Sequence, residues 1–181
     1  MNKGKKIPVK LVAVLSFIAF LAGLYLFLSS VDGNGSASKS SLAVKELAAP
    51  KGGTFIEVIE KDKPDINKEF PLGITEPAIQ DAIHAMSHQK VKAEDKWGFL
   101  PLTKDRVKRL LEVVKDGQET YKHADTYLTI LESWNNQEFS SVDKHHNAIW
   151  RLQSGTIGRA TGILSAAEEK AYIEKHYDIQ K

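Results

Sequence analysis

Cysteine is absent from the chain, so no disulfide can staple it and no thiolate is present to bind a metal or attack a substrate. A lipid attached through an N-terminal cysteine is excluded for the same reason. No internal repeat is present, which sets aside solenoid and propeller architectures. The glycine-rich fingerprints of phosphate and dinucleotide binding are missing as well. Gly155, Gly158 and Gly162 have G-x2-G-x3-G spacing, whereas a dinucleotide site needs G-x-G-x-x-G after a strand and a P-loop needs G-x-x-x-x-G-K-[ST]. Whatever folds here must therefore rely on an apolar core.

A chain of 181 residues has room for one modest domain plus extra segments. The first ten residues hold Lys3, Lys5, Lys6 and Lys10 and no acid. LVAVLSFIAFLAGLYLFL (11–28) follows, and counted from Ile7 the stretch reaches about 30 Å as a helix, the thickness of a bilayer core. A cleaved signal peptide has a shorter apolar region and a small-x-small site, whereas Ser29-Ser30-Val31-Asp32-Gly33 follows here. The sequence reading is an uncleaved membrane-spanning anchor over 7–28, with a cytoplasmic basic tail (1–6) and an extracytoplasmic remainder. Retained or cleaved, residues 30–181 are expected to be exported. Removing the four N-terminal lysines leaves 21 basic groups against 23 acids, so the pI of 8.6 reflects an orientation signal and not a nucleic-acid-binding surface.

Residues 29–69 read as a tether and irregular segment. SSVDGNGSASKSSLAVKELAAPKGG (29–53) is rich in Ser, Gly and Ala, a composition that buries too little to offset its ordering entropy. Within it LAVKELAA suggests a transient helical turn. TFIEVIE (54–60) fits either strand or helix, and KDKPDINKEFPLG (61–73) reads as loop. Beyond residue 70 the pattern is helical. Thr75 caps a helix with Ile79, Ala82, Ile83 and Met86 on one face, and Thr103 caps a second with Val107, Leu110, Leu111 and Val114, stopped by Gly117. A third is expected over about 118–135, a fourth from Ser140 or Ser141 to Gly155, and a fifth behind the Ser165–Glu168 capping box. The expected fold is all-α: a transmembrane helix, a flexible tether and a compact domain of about five short helices in 70–181.

Four constellations are candidates for chemistry. Asp81, His84 and His88 fall on the arc opposite the apolar stripe, and imidazoles four residues apart on a helix can share a metal. The trio lacks the glutamate of H-E-x-x-H, and the plain reading of it is a solvent-facing polar face. His146 projects into the apolar sector beside Val142, Ile149, Trp150 and Gln153, so either it closes a satisfied core network or it lines a pocket. Neither serine, cysteine nor carboxylate stands near it in the pattern to make a catalytic set, and no cofactor is implied. Arg159, between Gly158 and Gly162, offers a weak anion site. Residues 90–109 carry seven basic groups against three acids, among them Lys90, Lys92 and Lys96 next to Trp97. Outside a membrane such a patch would face anionic headgroups or wall polymers.

With MSHQKV (86–91), KWG (96–98), ILESW (130–134) and HNAIWRLQSGTIGRA (146–160) in view, the chain resembles a family of small, uncharacterised, single-pass membrane proteins of Bacillus-type bacteria. That resemblance covers about residues 70–175 and carries over no catalytic residues. The leading expectation is a membrane-anchored extracytoplasmic domain that binds an envelope protein or anionic polymer. The alternative is an exported enzyme or metal-dependent sensor using His84, His88 and His146.

Overall fold

The amphipathic stretches fold as helices in the computed structural model, which describes residues 42–50 and 54–177. In chain order the elements are β1 (Leu42–Ala48), β2 (Thr54–Glu60), α1 (Ile66–Glu69), α2 (Glu76–Ser87), β3 (Val91–Lys92), α3 (Lys104–Asp116), α4 (Ala124–Asn135), α5 (Val142–Leu152), β4 (Gly162–Ile163) and α6 (Ala166–His176). Helix α3 packs on α4, and α2 packs on α5. Between them lies the main core, in which Ile79, Ile83, Met86, Val107, Leu110, Tyr127, Leu131, Val142 and Ile149 are almost completely shielded. Each such side chain contributes about 1.5–3 kcal/mol on removal from water.

Helix boundaries follow local chemistry. Thr103 Oγ1 accepts from Arg106 N, and Ser165 and Glu168 form the reciprocal capping box that their spacing announces. Helix α4 begins at Ala124, later than expected. Residues 117–123 turn first, with Thr120 N and Tyr121 N both donating to Gly117 O. A Cβ at Gly117 would lie 2.4 Å from the Tyr121 ring, which is why this helix stop is also a tight contact. Tyr121 then ties the turn to the start of α2 by donating its hydroxyl to Ile74 O.

Two small antiparallel sheets correct the all-α expectation. Strands β1 and β2 pair over seven residues each, with Val44 opposite Val58 and Leu47 opposite Phe55; β3 and β4 pair Val91 with Ile163 and Lys92 with Gly162. The part of the expected tether that became β1 contains Leu, Ala, Lys and Glu, good helix formers in isolation, so local preference gives way to tertiary context. That context is a second core, where Leu42, Ile56 and Val58 pack on Ile173 of α6. TFIEVIE, the stretch left open between strand and helix, is β2. Among the described residues there are six helices, and none is long and apolar enough to cross a membrane. The expected spanning helix over 7–28 thus has no counterpart among them, and its own segment lies outside the described residues.

Candidate metal centre

Helix α2 turns one face to the main core and the other to α5 and two loops, so the arc expected to meet solvent is covered. His88 is 2% exposed, His84 is half-buried, and both meet His146 of α5, which is fully buried. Ring centroids stand 4.5 Å apart for His84 and His146, 4.8 Å for His84 and His88, and 5.4 Å for His88 and His146. One ligand nitrogen from each lies within 4.8 Å of the others.

Hydrogen bonds assign the proton on each ring. The Gln153 amide donates to Asp81 Oδ1 at 2.7 Å, which leaves its oxygen, 2.5 Å from His84 Nδ1, as the acceptor for that ring's N–H. His88 Nδ1 donates to Gly98 O at 2.8 Å, and His146 Nε2 donates to Gly158 O at 3.0 Å. Each imidazole therefore gives one N–H to an oxygen and keeps the other nitrogen as a lone pair. This is the outer-shell pattern that orients histidines toward a metal. Burial favours the uncharged rings. It lowers the His88 pKa to about 3 and that of His146 to about 4, with the nearby histidines and Lys96 adding to the effect, and it lowers that of His84 as well.

The supports are themselves held in place. Gly98 and Gly158, which supply the two carbonyls, both have φ of +83°, a conformation that suits glycine. A Cβ on Gly158 would also come within 2.5 Å of Asp95 O, so the two loops touch where the site needs them. Asn147 fastens the second loop to α5, donating to Ala160 O at 2.9 Å and accepting from Ala160 N at 2.8 Å. The pairing of β3 with β4 closes the arrangement from the side.

The donor set suits a borderline transition-metal ion. With metal–nitrogen bonds of about 2.0–2.1 Å, the ring centroids of a tetrahedral three-histidine set stand about 5 Å apart. The separations here, 4.5–5.4 Å, bracket that value. The nitrogens must close further, since tetrahedral partners lie about 3.4 Å apart. An ion would therefore have to draw together nitrogens that stand within 4.8 Å of one another. Imidazoles without carboxylate oxygens favour zinc, copper, nickel or cobalt over magnesium or calcium. Three protein nitrogens leave a fourth tetrahedral position for an outside ligand.

The remaining sequence candidates divide. Gln153 and Asp81 belong to the centre as supports for His84. Trp150 sits beside it, donating Nε1 to Ile157 O at 2.8 Å, and Arg159 is exposed. Part of the basic patch is neutralised within the fold. Lys90 is buried against Glu169 at 2.6 Å, and Lys92 pairs with Glu168 at 3.0 Å. Lys96 lies half-buried with its ammonium 4.3 Å from the Tyr172 ring centre, and burial brings its pKa down to about 8. Trp97 remains 60% exposed. His145 lies apart from the trio, accepting from Trp134 Nε1. Sequence reasoning missed Ser87, whose hydroxyl is 2.8 Å from His146 Nδ1, and the carbonyls of Gly98 and Gly158. The two glycines carried a signal, because their type marks special backbone conformations; Ser87 carried none.

Residues 83–174 match a model described as a family of unknown function, DUF6241. No curated protein and no solved structure matches the chain.

Proposed function

The chain belongs to the DUF6241 family of unknown function, and we propose that it serves there as a transition-metal-binding domain, with His84, His88 and His146 as ligands. One observation carries the reading: two buried histidines and a half-buried one converge, each with one ring N–H held by an oxygen and a lone pair on its other nitrogen. A core that needed only hydrophobic packing would gain nothing from three adjacent imidazoles, since burying polar groups costs free energy unless they are fully partnered.

The support for export is the sequence order of four lysines followed by the apolar run 11–28, an order that favours residues 30–181 outside the cell. The motifs MSHQKV, KWG and HNAIWRLQSGTIGRA lie wholly or largely within the matched span and support relatives from Bacillus-type bacteria. On this reading the domain holds or senses a metal ion at the cell envelope. Of the cations expected to bind an anionic polymer, Lys90 is buried against Glu169, whereas Lys92 stays at the surface in an ion pair with Glu168.

Calorimetric titration of the full-length chain with zinc tests the proposal. The expected result is one ion per chain, with affinity falling at least about 100-fold on His88→Ala or His146→Ala, as loss of one of three ligands implies. Equal binding by the wild type and both variants would refute it.

A further inference from the structure

Ser87 is fully buried on the last turn of α2, one residue before His88. Its Oγ lies 2.5 Å from His84 O and 2.8 Å from His146 Nδ1. A serine hydroxyl has a single proton to donate. His146 already gives its other N–H to Gly158 O, so neutral His146 can only accept at Nδ1. Two acceptors therefore compete for one proton. Both contacts are short enough for strong hydrogen bonds, and only one can be satisfied at a time.

We infer that Ser87 regulates the three-histidine centre by occupying the ligand nitrogen of His146. The inference rests on the metal-binding reading above. A metal at about 2.1 Å from Nδ1 must lie along the nitrogen lone pair. Ser87 Oγ stands in that direction at hydrogen-bonding distance, so the ion and the O–H···N bond exclude each other. On coordination the Nδ1–metal bond forms, the Ser87 hydrogen bond to Nδ1 breaks, and the Ser87 side chain swings its oxygen off the lone-pair line while its proton turns to His84 O. No proton leaves the site in this exchange, and no charge other than the metal's enters. His84 and His88 have no such competitor from Ser87, so two nitrogens can capture an ion before the third is released.

The hydroxyl thereby weakens binding by the worth of the hydrogen bond that must be broken, less what is regained at His84 O. It also imposes order on the steps. Metal is held first by His84 and His88 of one helix, then by His146 of the other, and rotation of Ser87 links the two stages. Such a device suits a site that exchanges its ion and not one that locks it permanently.

Zinc titrations of the full-length wild type and Ser87→Ala test this, with alanine chosen because it fits the space and favours the helix. The expected result is zinc binding about two- to tenfold tighter in Ser87→Ala, the worth of one neutral hydrogen bond. In a His146→Ala background the same substitution should change affinity by less than about twofold, because the two residues act as a pair. Nitrogen chemical shifts of the zinc-free protein add an independent readout: His146 Nδ1 should move on Ser87→Ala while His88 keeps its values. Zinc bound by the wild type with an unchanged or weaker Ser87→Ala overturns the role of Ser87 and leaves the three-histidine reading standing. Zinc bound by neither protein overturns that reading and the inference with it.

Discussion

Glu76 shows how a single carboxylate can cap a helix to which it does not belong. It stands at the start of α2, yet its oxygens accept from His123 N at 2.8 Å, Tyr127 OH at 2.9 Å and Lys122 N at 3.2 Å, all at the start of α4. Burial works against its ionisation, but these hydrogen bonds outweigh that cost and leave its pKa below the ordinary value of 4.5. Because the folded pKa lies below the unfolded one, its stabilisation is complete above about pH 4.5 and drains away as pH falls through the folded value. Replacing Glu76 by Gln should cost about 1–2 kcal/mol at pH 7, a figure reduced by its partial exposure. Urea unfolding at a series of pH values should show the gap between variant and wild type narrowing below pH 4.5. A gap constant with pH would mean that the charge is immaterial. The sequence marks Glu76 only as an acid in a first turn, because its partners lie some 46–51 positions away.

Among elements, the join between the hairpin, β3 and α6 is the part composition concealed most fully. Lys90 reads from the sequence as a surface cation in a basic run. In the fold the turn just before β3 carries it inward, where its ammonium meets Glu169 at 2.6 Å, Ile56 O at 3.0 Å and the Phe139 ring at 4.3 Å. Gln89 completes the set, donating to Glu169 and accepting from Leu102 N. Burial lowers the Lys90 pKa and raises that of Glu169, and each partner opposes the shift of the other. Removing one charge strands its partner, so Lys90→Met should destabilise by about 3–5 kcal/mol. The double variant Lys90→Met with Glu169→Leu should recover more than half of that loss in chemical denaturation. A double variant as unstable as the single one would show that the ion pair itself supplies the stability. Elements with their own signals were legible: the stripes of α2 and α3, the Thr103 cap and the α6 capping box. Strand β1 was not, because its residues favour helix and only Ile56, Val58 and Ile173 make a strand the better choice.

For the whole molecule, two helical pairs set a core and two glycine-bearing loops fold over one side of it. The helical arc holding Asp81, His84 and His88 could be drawn from the sequence, and so could the inward direction of His146. Their meeting could not, because it depends on α2 packing against α5 across about sixty positions. The cover that makes the site also comes from far along the chain, through Gly98 and Gly158. A polar face on one helix thus became a buried donor set through contacts no local pattern records. X-ray absorption at the zinc edge, on full-length protein loaded with one equivalent, tests that account most directly. It should show three imidazole nitrogens at about 2.0–2.1 Å, together with one further light-atom ligand. A spectrum of six oxygen neighbours with no imidazole scattering would contradict it.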